Sequence, residues 1–228
     1  MGYVFTPPEQ VSLPVRGSAD LFPVHRIYCV GRNYAAHAVE MGHDPDKEPP
    51  FFFQKNPDNI VLQGTDFPYP SATQDVHHEI ELTVALKSGG DDIPIEEALD
   101  HVFGYGVSLD MTRRDLQGEM KKLGRPWEVG KAFEYSAPHS ELVRADETGH
   151  PDSGAVWLKI NGEMRQEGDI NQLIWKVPEV ISILSGLFTL RAGDIIMTGT
   201  PAGVGPVHRG DELHGHVEGV GELTVSVV

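Results

Sequence analysis

The chain has a single cysteine, Cys29, set in the apolar run Ile27 to Val30. No disulfide can form within it, so the core alone must hold the fold, and a reducing compartment is the natural setting. Basic residues are also scarce, with 18 Lys and Arg against 34 Asp and Glu and a formal charge of −16. A surface of that sign repels nucleic-acid phosphates and anionic membranes, which excludes both as partners. No apolar run is long enough to span a bilayer, and Met1 to Pro8 has neither the basic nor the apolar region of a signal peptide. Internal repeats and low-complexity segments are missing too. The expectation is a cytoplasmic protein with one domain over residues 1–228. An anionic small substrate would need local positive charge in a cleft, from a metal or a few Lys and Arg.

What is there reads as many short strands with a few short helices, a mainly β (α+β) domain. Residues 1–25 carry Pro7, Pro8, Pro14 and Pro23 with little periodicity and read as an extended N-terminal arm. Ile27 to Val30 is a short buried strand. Asn33 to Gly42 then has the form of a short helix, with Asn33 as N-cap and Gly42 as stop. Asp44 to Pro50 reads as an exposed, mobile loop. Strands are expected from Phe51 to Lys55, His77 to Leu86, Val102 to Leu109, Asp194 to Met197 and Leu223 to Val228, and helices over Pro94 to His101, Thr112 to Leu123 and Pro178 to Leu187. Asn161-Gly162 between two alternating runs marks a β-hairpin.

The stretch Glu79-Ile80-Glu81-Leu82-Thr83-Val84 carries the chemistry. Read with period 2, Ile80, Leu82, Val84 and Leu86 form one face and Glu79, Glu81 and Thr83 the other. Two carboxylates then leave one strand about 6.5–7 Å apart at their Cα atoms, close enough to converge on one cation. The same alternation suits any half-buried strand with a wet outer face. Asp110 follows 29 positions after Glu81, at a strand end where it could equally cap a helix. Three carboxylates make an all-oxygen site that suits Mg²⁺, Mn²⁺ or Ca²⁺, while His77 and His78 leave zinc open. His37 and Glu40 are three apart on the short helix, as in an oriented base or as on any polar helix face. Arg114 and Gln117 share a helix face. Lys131 and Lys55 are flanked by apolar residues, so each enters a pocket or merely snorkels. The glycine-rich loop Thr198 to Pro206 lets amides approach a ligand but lacks the Lys-Ser/Thr ending of a nucleotide-binding loop.

Together the segments Cys29-Val30-Gly31-Arg32-Asn33-Tyr34, His78 to Leu82, Leu109 to Gln117, Gly130-Lys131-Ala132-Phe133 and Thr198 to Gly205 resemble the fumarylacetoacetate hydrolase family, most of all its short acylpyruvase and fumarylpyruvate hydrolase branch. The resemblance implies a mixed β-sandwich roll, a homodimer, and Mg²⁺ or Mn²⁺ held by Glu79, Glu81 and Asp110, with Ca²⁺ able to substitute. It implies a lid over residues 33–50 that carries His37 and Glu40 as the base for a water. Lys131 and Gln117 would stabilise an oxyanion, Thr200 would hold the carboxylate end, and Arg32, Lys55 and Arg114 would pair with a second carboxylate. The implied reaction is C–C cleavage of a 2,4-dioxo acid, with fumarylpyruvate giving fumarate and pyruvate. Oxaloacetate decarboxylation and isomerisation of a hydroxydienoate use the same chelation and stand as alternatives. A β-sandwich binding module with structural Ca²⁺ is a further one, and it leaves Lys131 and the His37–Glu40 pair without a use.

Overall fold

The computed structural model describes residues 2–42 and 49–228. Most of the loop expected over Asp44 to Pro50 therefore lies outside the described residues. The central element is an eight-stranded mixed sheet in the order Phe51–Lys55, Arg26–Gly31, Asp194–Met197, Ile80–Leu86, Val102–Leu109, Ala137–His139, Ile60–Leu62, with Val143–Arg144 also paired to Val102–Leu109. A four-stranded antiparallel sheet, Glu163–Asp169, Ala155–Ile160, Glu212–Val217 and Gly221–Ser226, packs on its face. The main apolar core lies between them and joins Ile80, Leu82 and Val84 of one sheet to Val156, Leu158, Leu213 and Leu223 of the other. The mainly β architecture expected from the sequence is what is found. No helix of the described residues is long and apolar enough to cross a membrane.

Period 2 correctly sorts the faces of Ile80–Leu86, but the polar face is not wet. All seven residues of the strand are buried, because a second cluster built from Leu13, Phe22, Ile27, Cys29, Ile195 and Met197 covers part of the other side. Cys29 sits in that cluster as a core residue. The N-terminal arm contributes to it as well. Ser12–Pro14 pairs antiparallel with Leu21–Pro23, so the second half of the arm is a hairpin that buries Leu13 and Phe22. Its prolines stand at strand ends, where a missing N–H is tolerated.

Three further expectations shift. Asn33 is not a helix cap: the helix Ala35–Glu40 starts after Tyr34 without a side-chain cap, and Asn33 is buried, donating to the carbonyls of Trp175 and Thr198 and accepting from the Trp175 N–H. The helix expected from Thr112 begins at Arg114, since Thr112–Arg113 pairs with Val76–His78 as a short strand. Ile95–His101 is a 3₁₀ helix. The strand Glu212–Val217 was not expected, although Leu213, Gly215 and Val217 alternate with polar neighbours.

Candidate metal and active site

Antiparallel pairing of Ile80–Leu86 with Val102–Leu109 puts Ile80 opposite Leu109. Glu79, just before the one strand, then faces Asp110, just after the other, and the Asp110 N–H donates to the Glu79 carbonyl at 2.8 Å. Glu81 shares the Glu79 face. One carboxylate oxygen from each of the three lies within 4.8 Å of the others, and all three side chains are buried.

Such a cluster cannot stand without positive charge. Lys131 donates to Glu79 Oε2 at 2.9 Å, Asp110 Oδ2 at 2.6 Å and Thr112 Oγ1 at 2.7 Å. Arg114 binds Glu79 Oε1 through Nη2 and Gln117 Oε1 through Nη1. Burial alone would raise the Glu79 carboxyl, but Lys131 and Arg114 hold it well below the usual range. Burial likewise would lower Lys131, and Asp110 and Glu79 raise it. Among the described residues Glu81 has no cation in hydrogen-bond contact; burial and the charges of Asp110 and Glu79 push it well above its ordinary value, against one hydrogen bond from the Gly199 N–H at 2.8 Å and the more distant charge of Lys131. Gly199 adopts φ +101°, and a Cβ there would meet Asn33 at 2.8 Å, so this amide reaches Glu81 only because the residue is glycine.

The remaining parts come from four elements. The helix Arg114–Leu123 presents Arg114, Gln117 and Lys121 along one face at i, i+3 and i+7. The short helix Glu128–Lys131 packs on it at Gly130, where a Cβ would lie 2.8 Å from the Gln117 Cβ, and this approach delivers Lys131. The helix Ala35–Glu40 supplies His37, whose Nδ1 is 3.0 Å from Glu40 Oε2, while Glu40 Oε1 accepts from the Gly203 N–H at 3.2 Å. Thr200 comes from the glycine-rich loop. Apart from Glu40, these groups line one cleft together with Arg32, Phe53 and Trp127.

Of the residues expected to take part, Glu79, Glu81, Asp110, His37, Gln117, Lys131, Arg32, Arg114 and Thr200 line this cleft, and Glu40 stands behind His37. Lys55 does not. Its ammonium is buried against Asp110 Oδ1 at 2.9 Å and against the carbonyls of Met111 and Lys131, so it supports a carboxylate of the cluster from behind. The three N–H groups of Lys131 are engaged by Glu79, Asp110 and Thr112, and Gln117, its oxygen occupied by Arg114, has side-chain N–H to offer. Sequence reasoning missed Lys121, which the seven-residue step from Arg114 signals, and Trp127, which no local pattern signals. The Lys121 ammonium lies 4.7 Å from the Trp127 ring centroid and has no carboxylate partner among the described residues. Burial and the nearby Arg114 and Arg32 lower it to about 8.

The donor set fits a hard dication. Among the described residues it holds three carboxylates and no sulfur or imidazole. Zinc loses its support, because His77 is engaged with Asp75 and Arg114 and His78 with Gln166, outside the carboxylate group. The charges also match. The three carboxylates meet three close cations, Lys55, Lys131 and Arg114. A bound dication would therefore leave the cleft positive, which favours an anionic substrate in an otherwise acidic protein.

The family model described as Fumarylacetoacetate (FAA) hydrolase C-terminal matches residues 26–228. The crystal structure of fumarylpyruvate hydrolase from Pseudomonas aeruginosa in complex with Mn²⁺ and pyruvate is 55% identical, covers 100% of this chain and 99% of that one, and superposes with a TM-score of 0.97. Oxaloacetate tautomerase FAHD1, mitochondrial, from Mus musculus is 42% identical over 201 residues, 88% of this chain and 90% of that protein. An uncharacterised Pyrococcus horikoshii protein, PH0643, is 40% identical over 221 residues, 96% of this chain and 95% of that one.

Proposed function

The chain belongs to the fumarylacetoacetate hydrolase family, and from that premise we propose that it hydrolyses the C–C bond of a 2,4-dioxo acid, with fumarylpyruvate yielding fumarate and pyruvate. The observation that carries this reading is the junction of three parts in one cleft: a buried carboxylate trio, a carboxylate-oriented histidine, and a lysine with no acidic partner among the described residues. The likeness to the Pseudomonas aeruginosa enzyme supports the choice of substrate.

Glu79, Glu81 and Asp110 would hold Mg²⁺ or Mn²⁺. When bound, such an ion polarises the keto-acid end and favours release of the pyruvate half as an enolate. The chain's own residues do the rest. Glu40 accepts the Nδ1 proton of His37, which leaves His37 Nε2 with its lone pair to take a proton from water. Gln117, turned by Arg114, donates its N–H to the oxyanion that hydroxide attack creates at the distal carbonyl. Thr200 binds the carboxylate near the metal, and Lys121 with Arg32 meets the carboxylate at the far end.

Loss of the enol absorbance of fumarylpyruvate tests the reaction directly. Turnover is expected with Mg²⁺ or Mn²⁺, to fall to background with a chelator, and to return when the metal is restored; turnover that persists in chelator would remove the mechanism. Replacing Lys121 by Met is expected to lower kcat/KM for fumarylpyruvate about tenfold, the worth of one charge-assisted hydrogen bond, and to leave acetylpyruvate, which lacks the far carboxylate, unchanged. In the native enzyme the same preference is expected to fade as pH rises through about 8, where Lys121 loses its proton. Equal losses on both substrates would show that Lys121 does not read the second carboxylate.

The tautomerase relatives favour a second reading, keto–enol exchange of oxaloacetate. It uses the carboxylate trio and one base but no attacking water. Parallel assays of oxaloacetate tautomerisation and fumarylpyruvate cleavage separate the two.

A further inference from the structure

Gln166 has no part in the scheme above, yet it is 1% exposed and its side-chain amide is fully bonded. Oε1 accepts from His78 Nδ1 at 2.8 Å and from the Ile80 N–H at 3.1 Å. Nε2 donates to Thr200 Oγ1 at 2.8 Å and to the Pro201 carbonyl at 2.8 Å. Two of these partners allow one role each, since a backbone N–H can only donate and a carbonyl can only accept. Ile80 and Pro201 therefore decide which way the amide faces, and the two side-chain partners must follow. His78 must carry its proton on Nδ1. Thr200 must accept, so its own hydroxyl proton has to go elsewhere.

Thr200 lines the cleft, and among the described residues no acceptor takes that proton. We infer that Gln166 is a positioning residue: it fixes the polarity of the Thr200 hydroxyl so that the O–H is offered to the substrate carboxylate. A threonine left to itself can rotate its proton toward any nearby acceptor, and a hydroxyl oxygen turned to a carboxylate repels it. The strand Glu163–Asp169 thereby reaches the substrate without touching it, through a bond that spans the sheet of Ile80 and the glycine-rich loop. This inference rests on the proposed placement of Thr200 at the carboxylate end.

The test is pyruvate binding to the full-length protein at saturating Mn²⁺, measured by titration calorimetry, with unfolding followed in parallel. In Gln166→Glu the new carboxylate has no N–H, so the Thr200 proton turns to it and away from the cleft. Gln166→Glu and Thr200→Val are each expected to weaken pyruvate about tenfold, the double variant to be no weaker than either single, and Thr200→Ser to retain wild-type affinity. A purely structural role for Gln166 would give additive losses, and additivity overturns the inference. So does loss in Thr200→Val without loss in Gln166→Glu. Unchanged binding in Thr200→Val would instead remove the placement of Thr200, and a wild-type protein that does not bind pyruvate would remove the proposed function itself. The native chain gives a check that needs no variant: ¹⁵N shifts must show His78 as the Nδ1–H tautomer, and the Nε2–H form would overturn the inference even if Gln166→Glu fails to fold.

Discussion

Glu40→Gln is expected to lower kcat on fumarylpyruvate by about 10²–10⁴-fold, the range that general-base catalysis supplies, with Mn²⁺ affinity unchanged. The size follows from where Glu40 sits. It does not line the cleft but holds His37 Nδ1 at 3.0 Å, with its other oxygen tied to the Gly203 N–H. A glutamine there can turn its NH₂ toward His37, and the imidazole then places its proton on Nε2, where it can no longer accept one from water. The three carboxylates proposed to hold the metal stand on other elements, at two strand ends and within a strand, and among the described residues none of them is hydrogen-bonded to Glu40. Calorimetric titration with Mn²⁺ alongside the absorbance assay separates the two effects. A variant that still turns over at the native rate would strip the His37–Glu40 pair of its role and revive the binding-module reading.

Lys55→Met is expected to act on stability and not on substrate affinity. The Lys55 and Asp110 side chains are 0% and 1% exposed, with 2.9 Å between ammonium and carboxylate. Removing one partner of a buried pair leaves an uncompensated charge and costs about 3–5 kcal/mol; for a chain of this size that lowers Tm by about 10 °C. Mn²⁺ should restore part of the loss, because a dication on Asp110 replaces the missing positive charge. Thermal unfolding with and without Mn²⁺, together with KM, reads this out. A raised KM with an unchanged Tm would return Lys55 to the substrate, where the family resemblance had placed it.

Lys55 and Lys131 show where reading the chain stops. Their apolar neighbours allow a lysine that enters a pocket or one that snorkels, and both turn out 2% exposed. Nothing local tells which carboxylate each will meet, because the partner lies 55 and 21 positions away and the angle of approach depends on packing of a different element. Arg114 and Gln117 were legible as a pair because a helix puts residues three apart side by side, and they do bond at 2.7 Å. Lys121 obeys the same rule one turn further on. Asn33 failed as a cap since its amide had better partners in Trp175 and Thr198, more than 140 positions away.

From the residues alone came the mainly β class, the two faces of Ile80–Leu86, the shared face of Glu79 and Glu81 and the His37–Glu40 step. All of these depend on repeat lengths of 2 or 3.6 residues that the local backbone imposes. Tertiary structure decided that the carboxylate face is buried, that Lys55 stands behind Asp110 while Lys121 stays in the cleft, and that Gln166 bonds to Thr200. Those outcomes turn on how strands far apart in the chain are set in register, and burial then makes each charge and each proton find a partner at whatever distance along the chain one is available.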